Sequence, residues 1–142
     1  MTRLFPAAVA AAWLLAGSPR STVAQEAAPP ETSTRSGAYT AAQARRGADA
    51  YRKHCTECHV PADVTGAPFR RAWAGRTVYD YFELIRTTMP NDNPGKLSRG
   101  QYVDIVAYLL QLSGMPPGET PLPSDSAALR RIRIEAEPVP SR

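Results

Sequence analysis

The amino-acid sequence predicts an all-α domain of three main helices joined by loops. Three capping-box signatures begin at Thr40, Thr77 and Ser98, and apolar residues follow each of them at intervals of three or four positions. A capping box satisfies free N–H groups at the start of a helix, and this spacing gathers apolar side chains on one helical face. We assign no strands, because no segment shows the regular alternation of a half-buried strand.

The first helix is expected to follow Thr40 and to carry Ala44, Ala48 and Tyr51 on one face. Gly47 lies in its middle, where glycine costs about 1 kcal/mol relative to alanine. Either Gly47 allows another helix to approach closely, or it is a tolerated surface residue. We expect the close approach, with the last helix as the neighbour.

The second helix follows Thr77 and carries an apolar and aromatic stripe. The last helix follows Ser98, has the longest apolar face, and is expected to stop at Gly114, because glycine suits the left-handed conformation that ends many helices. The two stripes consist of Val78, Tyr81, Phe82 and Ile85 in the second helix and of Tyr102, Ile105, Val106 and Leu109 in the last.

Residues 1–24 are typical of a secretory signal peptide, with Arg3 before an apolar run and small residues at the cleavage site. The run covers residues 4–16, too few to span a bilayer, so we expect export without a stable membrane anchor. Removal of residues 1–24 takes away two of the 17 Lys and Arg residues and none of the 13 acidic ones, which leaves a net charge of +2. This small charge gives no support for nucleic acid as a partner.

The rest of the chain divides into three parts. Residues 25–37 are rich in Ala, Pro, Ser, Thr and Glu and predict a disordered leader. Residues 38–116 contain the helices and form the domain. Residues 117–142 are a proline-rich tail, in which residues 126–135 predict a short helix or an extended strip that packs on the domain, docks on a partner or is disordered.

Cys55, Cys58 and His59 form the pattern C-x-x-C-H, the attachment signature of c-type haem. The two thiols add to the haem vinyl groups as thioethers, and the His59 imidazole takes one axial position on the iron. A zinc site needs about four ligands, and a redox dithiol expects a strand-rich setting. Since every Cys and His of the chain lies between His54 and His59, haem c is the predicted cofactor.

Met89 is the predicted second axial ligand of the iron. Its thioether is soft and neutral, Pro90 stiffens the backbone beside it, and it begins a polar loop rather than belonging to an apolar stripe. The rival methionines are Met115, beyond the last helix, and Met1, which leaves with the signal peptide.

Pro68 and Trp73 are predicted neighbours of the cofactor. Pro68 is a candidate to present its carbonyl to the free ring nitrogen of His59, the kind of contact that orients a metal-bound imidazole; alternatively, it only shapes a turn. The indole N–H of Trp73 needs a partner if it is buried. A haem propionate is one such partner, and plain core packing is the alternative.

Together these residues resemble the class I cytochrome c family over residues 38–116. The resemblance rests on Gly47 and Tyr51 in the first helix, the C-x-x-C-H motif, the Thr88-Met89-Pro90 element and the closing helix. It implies three main helices and loops wrapped around one covalently attached haem.

The segments Trp73-Ala-Gly-Arg-Thr-Val and Ile85-Arg-Thr-Thr-Met-Pro are similar to the monohaem cytochromes associated with quinoprotein (PQQ) dehydrogenases. Many members of the family read Gly-Pro where this chain reads Gly66-Ala67-Pro68. The narrower resemblance implies redox proteins as partners: a PQQ-dependent dehydrogenase as electron donor and a terminal oxidase or another cytochrome as acceptor.

With His59 and Met89 both bound, the iron has no open position for a substrate. We therefore expect an electron-transfer protein of the bacterial periplasm rather than an enzyme. Three alternatives stay open: a dedicated cytochrome subunit of a dehydrogenase complex, a ligand-binding or peroxidatic haem protein with an open sixth site, and a non-haem metal or structural protein.

Overall fold

A computed structural model describes residues 31–135. The predicted signal peptide lies outside the described residues, as do residues 25–30 of the predicted leader and residues 136–142 of the tail. None of the described helices is long and apolar enough to cross a membrane. The described helices are α1 (Ala41–His54), α2 (Gly66–Trp73), α3 (Val78–Thr88), α4 (Arg99–Leu112) and α5 (Ser126–Arg130), and two short strands, β1 (Thr32–Ser33) and β2 (Ile132–Arg133), pair with each other.

The all-α prediction is confirmed, and the three main helices begin where their capping signatures stand. At α3, the Asp80 carboxylate accepts a hydrogen bond from the Thr77 N–H (3.1 Å), while Thr77 accepts one from the Asp80 N–H. At α4, Gln101 and Ser98 make the same reciprocal pair. Each box satisfies two backbone donors that have no partner inside the helix.

The third box, at α1, is only half formed. Thr40 accepts from the Gln43 N–H as predicted (3.2 Å). The Gln43 amide instead donates to the Leu122 carbonyl (3.0 Å) and accepts from the Leu122 N–H (2.7 Å). Since both residues are buried, these backbone groups need a protein partner in place of water. Gln43 therefore ties the C-terminal tail to α1.

Helices α1 and α4 cross at Gly47. A Cβ atom at this position would lie 1.8 Å from the Asp104 carbonyl oxygen and 2.9 Å from Tyr108 Cβ. The predicted close approach of the last helix is confirmed. One turn away, the Tyr51 and Tyr108 rings pack at 5.6 Å between centroids, and the Arg46 guanidinium pairs with the Asp104 carboxylate at 2.8 Å.

Residues 31–37 are folded, which differs from the predicted disordered leader. Strand β1 runs parallel to β2, with Thr32 opposite Ile132. Thr34 is fully buried, and its hydroxyl accepts from the Glu135 N–H, 101 residues away. The composition of the leader carries no signal for this pairing, because the partner lies at the far end of the domain. The expectation of no strands is corrected at the same place.

The tail also packs on the domain, as a short helix followed by an extended strip. Leu129 in α5 and Ile134 after β2 are fully buried, and α5 packs against α3. Ile134 exchanges two 2.8 Å backbone hydrogen bonds with the turn between α2 and α3: its carbonyl accepts from Gly75, and its N–H donates to Arg76. We call residues 31–37 and 117–135 together the belt.

Candidate functional site

A cavity of about 850 Å³ lies between the end of α1, helices α2 and α3, the loop after α3, and α4. Pockets for cofactors and other small molecules commonly enclose about 300–1,000 Å³, so this cavity has room for a large ligand. Its apolar and aromatic wall is formed by Phe69, Trp73, Tyr81, Ile85, Ile105 and Leu109.

Cys55, Cys58 and His59 all line this cavity. Cys55 ends α1, where its N–H donates to the Tyr51 carbonyl (2.8 Å), and the Cys55 carbonyl then accepts from the N–H groups of Cys58 (3.2 Å) and His59 (3.0 Å). This tight turn brings both thiols and the imidazole to one wall. Burial raises the pKa of the Cys55 thiol above its usual value, while Cys58 is exposed.

Met89 lines the same cavity. It is the first residue after α3, and its N–H donates to the Ile85 carbonyl (2.9 Å). Met115, the other methionine of the described part of the chain, is buried in the core away from the cavity lining. Its carbonyl accepts from the Tyr39 hydroxyl at 2.6 Å. Of these two methionines, Met89 shares the cavity with the C-x-x-C-H motif.

The aromatic wall is built by α2 and α3. The Tyr81 ring packs edge-on against Phe69, with centroids 5.2 Å apart. It packs at a tilt against Trp73, with centroids 4.7 Å apart. The Arg76 guanidinium lies over the Trp73 ring at 4.6 Å. Such contacts fix ring orientation and add stability beyond simple burial. The cavity therefore has a well-packed aromatic wall, and the loop after α3 adds the polar residues Asn91, Asp92 and Lys96 to its lining.

A comparison of the chain with protein-family models indicates the family of this domain. Residues 42–109 match the family described as cytochrome C oxidase, cbb3-type, subunit III. The domain is a class I c-type cytochrome. It is an electron-transfer haem protein, and its family implies a covalently bound haem c, for which Cys55 and Cys58 have the attachment spacing. No curated protein and no solved structure shows a significant match to the chain.

The cavity of this cytochrome has the chemistry that haem requires. Two thiols, an imidazole and a thioether face one apolar space. Tyr51 also lines it, and the Tyr51 hydroxyl is buried without a hydrogen-bond partner among the described residues. Desolvation is the main cause that raises the Tyr51 pKa, followed by the nearby Cys55 thiol. A buried hydroxyl normally has a partner, and a haem in the cavity brings polar groups at its edge. The residues present fit the group.

Pro68 and Trp73 both line the cytochrome's cavity. Pro68 lies in the first turn of α2, where the missing N–H costs no helical hydrogen bond. Helix α2 was not predicted from the sequence, because the helix is short and its proline is typical of a turn. Within residues 31–135, no hydrogen bond joins Pro68 to His59, so the orienting role of Pro68 stays a prediction, as does a propionate contact of Trp73.

Proposed function

We propose that this cytochrome is a periplasmic carrier of single electrons whose iron is held between the His59 imidazole and the Met89 thioether. One observation carries the proposal: His59 and Met89 line the same cavity as the two attachment cysteines, whereas Met115 lies elsewhere in the core. When bound, the haem supplies a one-electron iron couple. Two protein ligands leave no position for a substrate, so the protein exchanges electrons without binding one.

Backbone hydrogen bonds next to the cavity give each ligand residue a defined place. The turn that starts at Cys55 anchors the His59 backbone, and α3 anchors the Met89 N–H. The apolar wall limits the access of water to the iron ligands, and solvent access is one control on the reduction potential of the haem. Methionine as an axial ligand is a second control, because it raises that potential. Both ligands then stay in place when the charge on the iron changes.

Part of the cavity lining, here called the accessible side, is exposed and within reach of another protein. Cys58 and Pro68 are exposed, and Leu84 is 48% exposed, although all three line the cavity. An electron-transfer protein needs an accessible side of this kind, because its cofactor must come close to the cofactor of the partner protein. The accessible side is therefore the proposed place of electron entry and exit.

The location and partners rest on the sequence. Residues 1–24 resemble a signal peptide and support export. Export is also required because bacteria attach haem c covalently outside the cytoplasm. The resemblance to cytochromes of quinoprotein dehydrogenases supports such a dehydrogenase as electron donor. The matched family is named for a cbb3-type cytochrome C oxidase, which supports an oxidase on the acceptor side.

The test is the variant Met89→Ala, with Met115→Leu as the matched control. In Met89→Ala we expect the sulfur–iron charge-transfer band to vanish, the reduced protein to bind CO, and the reduction potential to fall by on the order of 100 mV, within the roughly 0.8 V range over which axial ligands set haem potentials. Met115→Leu should keep the band and the potential.

Other results would contradict the proposal. An unchanged potential in Met89→Ala would remove Met89 from the iron, and rapid CO binding by the wild type would indicate an open sixth site. Fractionation of a bacterial host tests the location: haem-containing protein confined to the cytoplasm would contradict export. Stable co-purification with a dehydrogenase would indicate a dedicated subunit rather than a free carrier.

A further inference from the structure

The Tyr102 side chain holds the backbone of Met89. Its hydroxyl donates to the Met89 carbonyl at 2.7 Å, and the residue is only 1% exposed. The sequence places Tyr102 on the apolar stripe of α4, which indicates a core residue and nothing more. In the structure its ring is part of the core, and its hydroxyl reaches Met89, the first residue after α3.

This contact completes the anchoring of Met89. The Met89 N–H already donates to the Ile85 carbonyl (2.9 Å), so both backbone polar groups of this residue have protein partners, one from α3 and one from α4. Pro90 is buried next to it, whereas residues 91–96 are exposed. Tyr102 therefore acts at the boundary between a fixed backbone and a solvent-exposed loop.

A methionine ligand depends strongly on such an anchor. Its side chain is unbranched and has three rotatable bonds, so packing against the side chain alone leaves the sulfur several positions. A fixed backbone restricts the volume that the sulfur reaches. Loss of the Tyr102 bond would let the Met89 carbonyl turn towards water and would move the thioether with it.

We propose that Tyr102 is a positioning residue for the iron ligand: its hydroxyl holds the Met89 carbonyl and thereby keeps the Met89 thioether on the iron. The inference rests on the proposed ligation by His59 and Met89. Tyr102 itself touches neither the reacting atom nor a substrate in this scheme; it acts through the backbone of Met89.

The chain offers a closely matched control for this role. Tyr39 is also fully buried, and its hydroxyl donates to the carbonyl of the other described methionine, Met115, at 2.6 Å. Tyr102→Phe and Tyr39→Phe thus each remove one hydroxyl from a buried bond to a methionine carbonyl. Only the first bond lies beside the cavity.

The experiment compares holo wild type, Tyr102→Phe and Tyr39→Phe. Imidazole is titrated into the ferric proteins, the sulfur–iron band is followed, and the thermal midpoint is measured. A hydrogen bond contributes a factor of about 2 to 10 to an equilibrium, so Tyr102→Phe should bind imidazole about 2- to 10-fold more tightly and lose the band at lower imidazole. Tyr39→Phe should lower the thermal midpoint to a similar extent but keep the wild-type imidazole affinity.

Two other outcomes separate the possible failures. Equal imidazole affinity in Tyr102→Phe and Tyr39→Phe, with the band intact in both, would overturn the inference and leave Tyr102 a structural residue. A wild type without a sulfur–iron band, which binds imidazole with nothing to displace, would instead refute the ligation by Met89, and the inference would fall with it.

Discussion

Replacement of Gly47 by alanine tests the geometry on which the domain is built. The added Cβ would lie 1.8 Å from the Asp104 carbonyl oxygen, about half of an ordinary contact distance of roughly 3.5–4.0 Å. Because the opposing atom belongs to the backbone of α4, it cannot rotate away as a side chain would. Helices α1 and α4 must therefore move apart, and the packing of Tyr51 on Tyr108 loosens with them.

The expected loss follows from two opposing contributions. Overpacking a tight core typically costs about 1–3 kcal/mol, and more where backbone must shift, so the upper end applies at Gly47. The higher helix propensity of alanine returns about 1 kcal/mol. The net loss is therefore about 2 kcal/mol or more, which lowers the melting temperature of a domain of this size by roughly 8–16 °C.

The assay is thermal and guanidinium unfolding of the holo proteins, with Gly100→Ala as the control. Gly100 is also helical, but its added Cβ would have no described atom within 4 Å. It should gain up to about 1 kcal/mol from helix propensity. If Gly47→Ala were as stable as Gly100→Ala, the close crossing of α1 and α4 would be wrong.

Two further predictions concern the belt and the core. Gln43→Ala leaves both backbone groups of Leu122 without their partner and should cost about 2–6 kcal/mol in the free energy of unfolding, at about 1–3 kcal/mol for each unsatisfied group. Gln101→Ala, which loses only an exposed cap, should cost less than half as much, and equal losses would contradict the tie to the tail. Burial raises the pKa of Tyr39 to about 12, so the folded state keeps this proton after the unfolded state, with its ordinary pKa near 10, has lost it. The contribution of Tyr39 is therefore complete below pH 10 and is lost as the pH rises to about 12. Unfolding measured between pH 9 and 12 should show a shallower fall in Tyr39→Phe than in wild type, and parallel curves would exclude this role.

Local signals in the sequence were sufficient to predict the main helices and several residues that line the cavity. The capping residues Thr77 and Ser98 act in the turn where they stand, and Gly47 is unusual enough in a helix to indicate a close contact. The sequence favours Met89 over Met115 as the axial ligand, because a methionine outside any apolar stripe has no packing role to explain it; the structure places Met89 in the cavity lining, and its ligation of the iron stays a prediction.

The rest depends on contacts between distant parts of the chain. Thr34 binds the backbone of Glu135 across 101 residues, and no local pattern encodes such a pairing. Gln43 has the correct position for a capping box, yet its side chain binds the N–H and the carbonyl of Leu122 in the buried tail. Tyr102 belongs to the apolar stripe of α4, and this pattern predicts that its ring is buried. The pattern does not predict the hydrogen bond of its hydroxyl to the Met89 carbonyl.

The belt closes the described chain on itself. Because β1 pairs with β2 and Ile134 pairs with Gly75 and Arg76, neither end is free to fray alone. Short segments at the edge of a domain usually exchange their amide hydrogens fast, but the N–H groups of Thr32, Ile134 and Glu135 are held by bonds between the two parts of the belt or to the α2–α3 turn. They should exchange as one cooperative unit. That unit reaches Arg76, whose guanidinium lies over Trp73, so opening of the belt would also disturb a residue that lines the haem cavity.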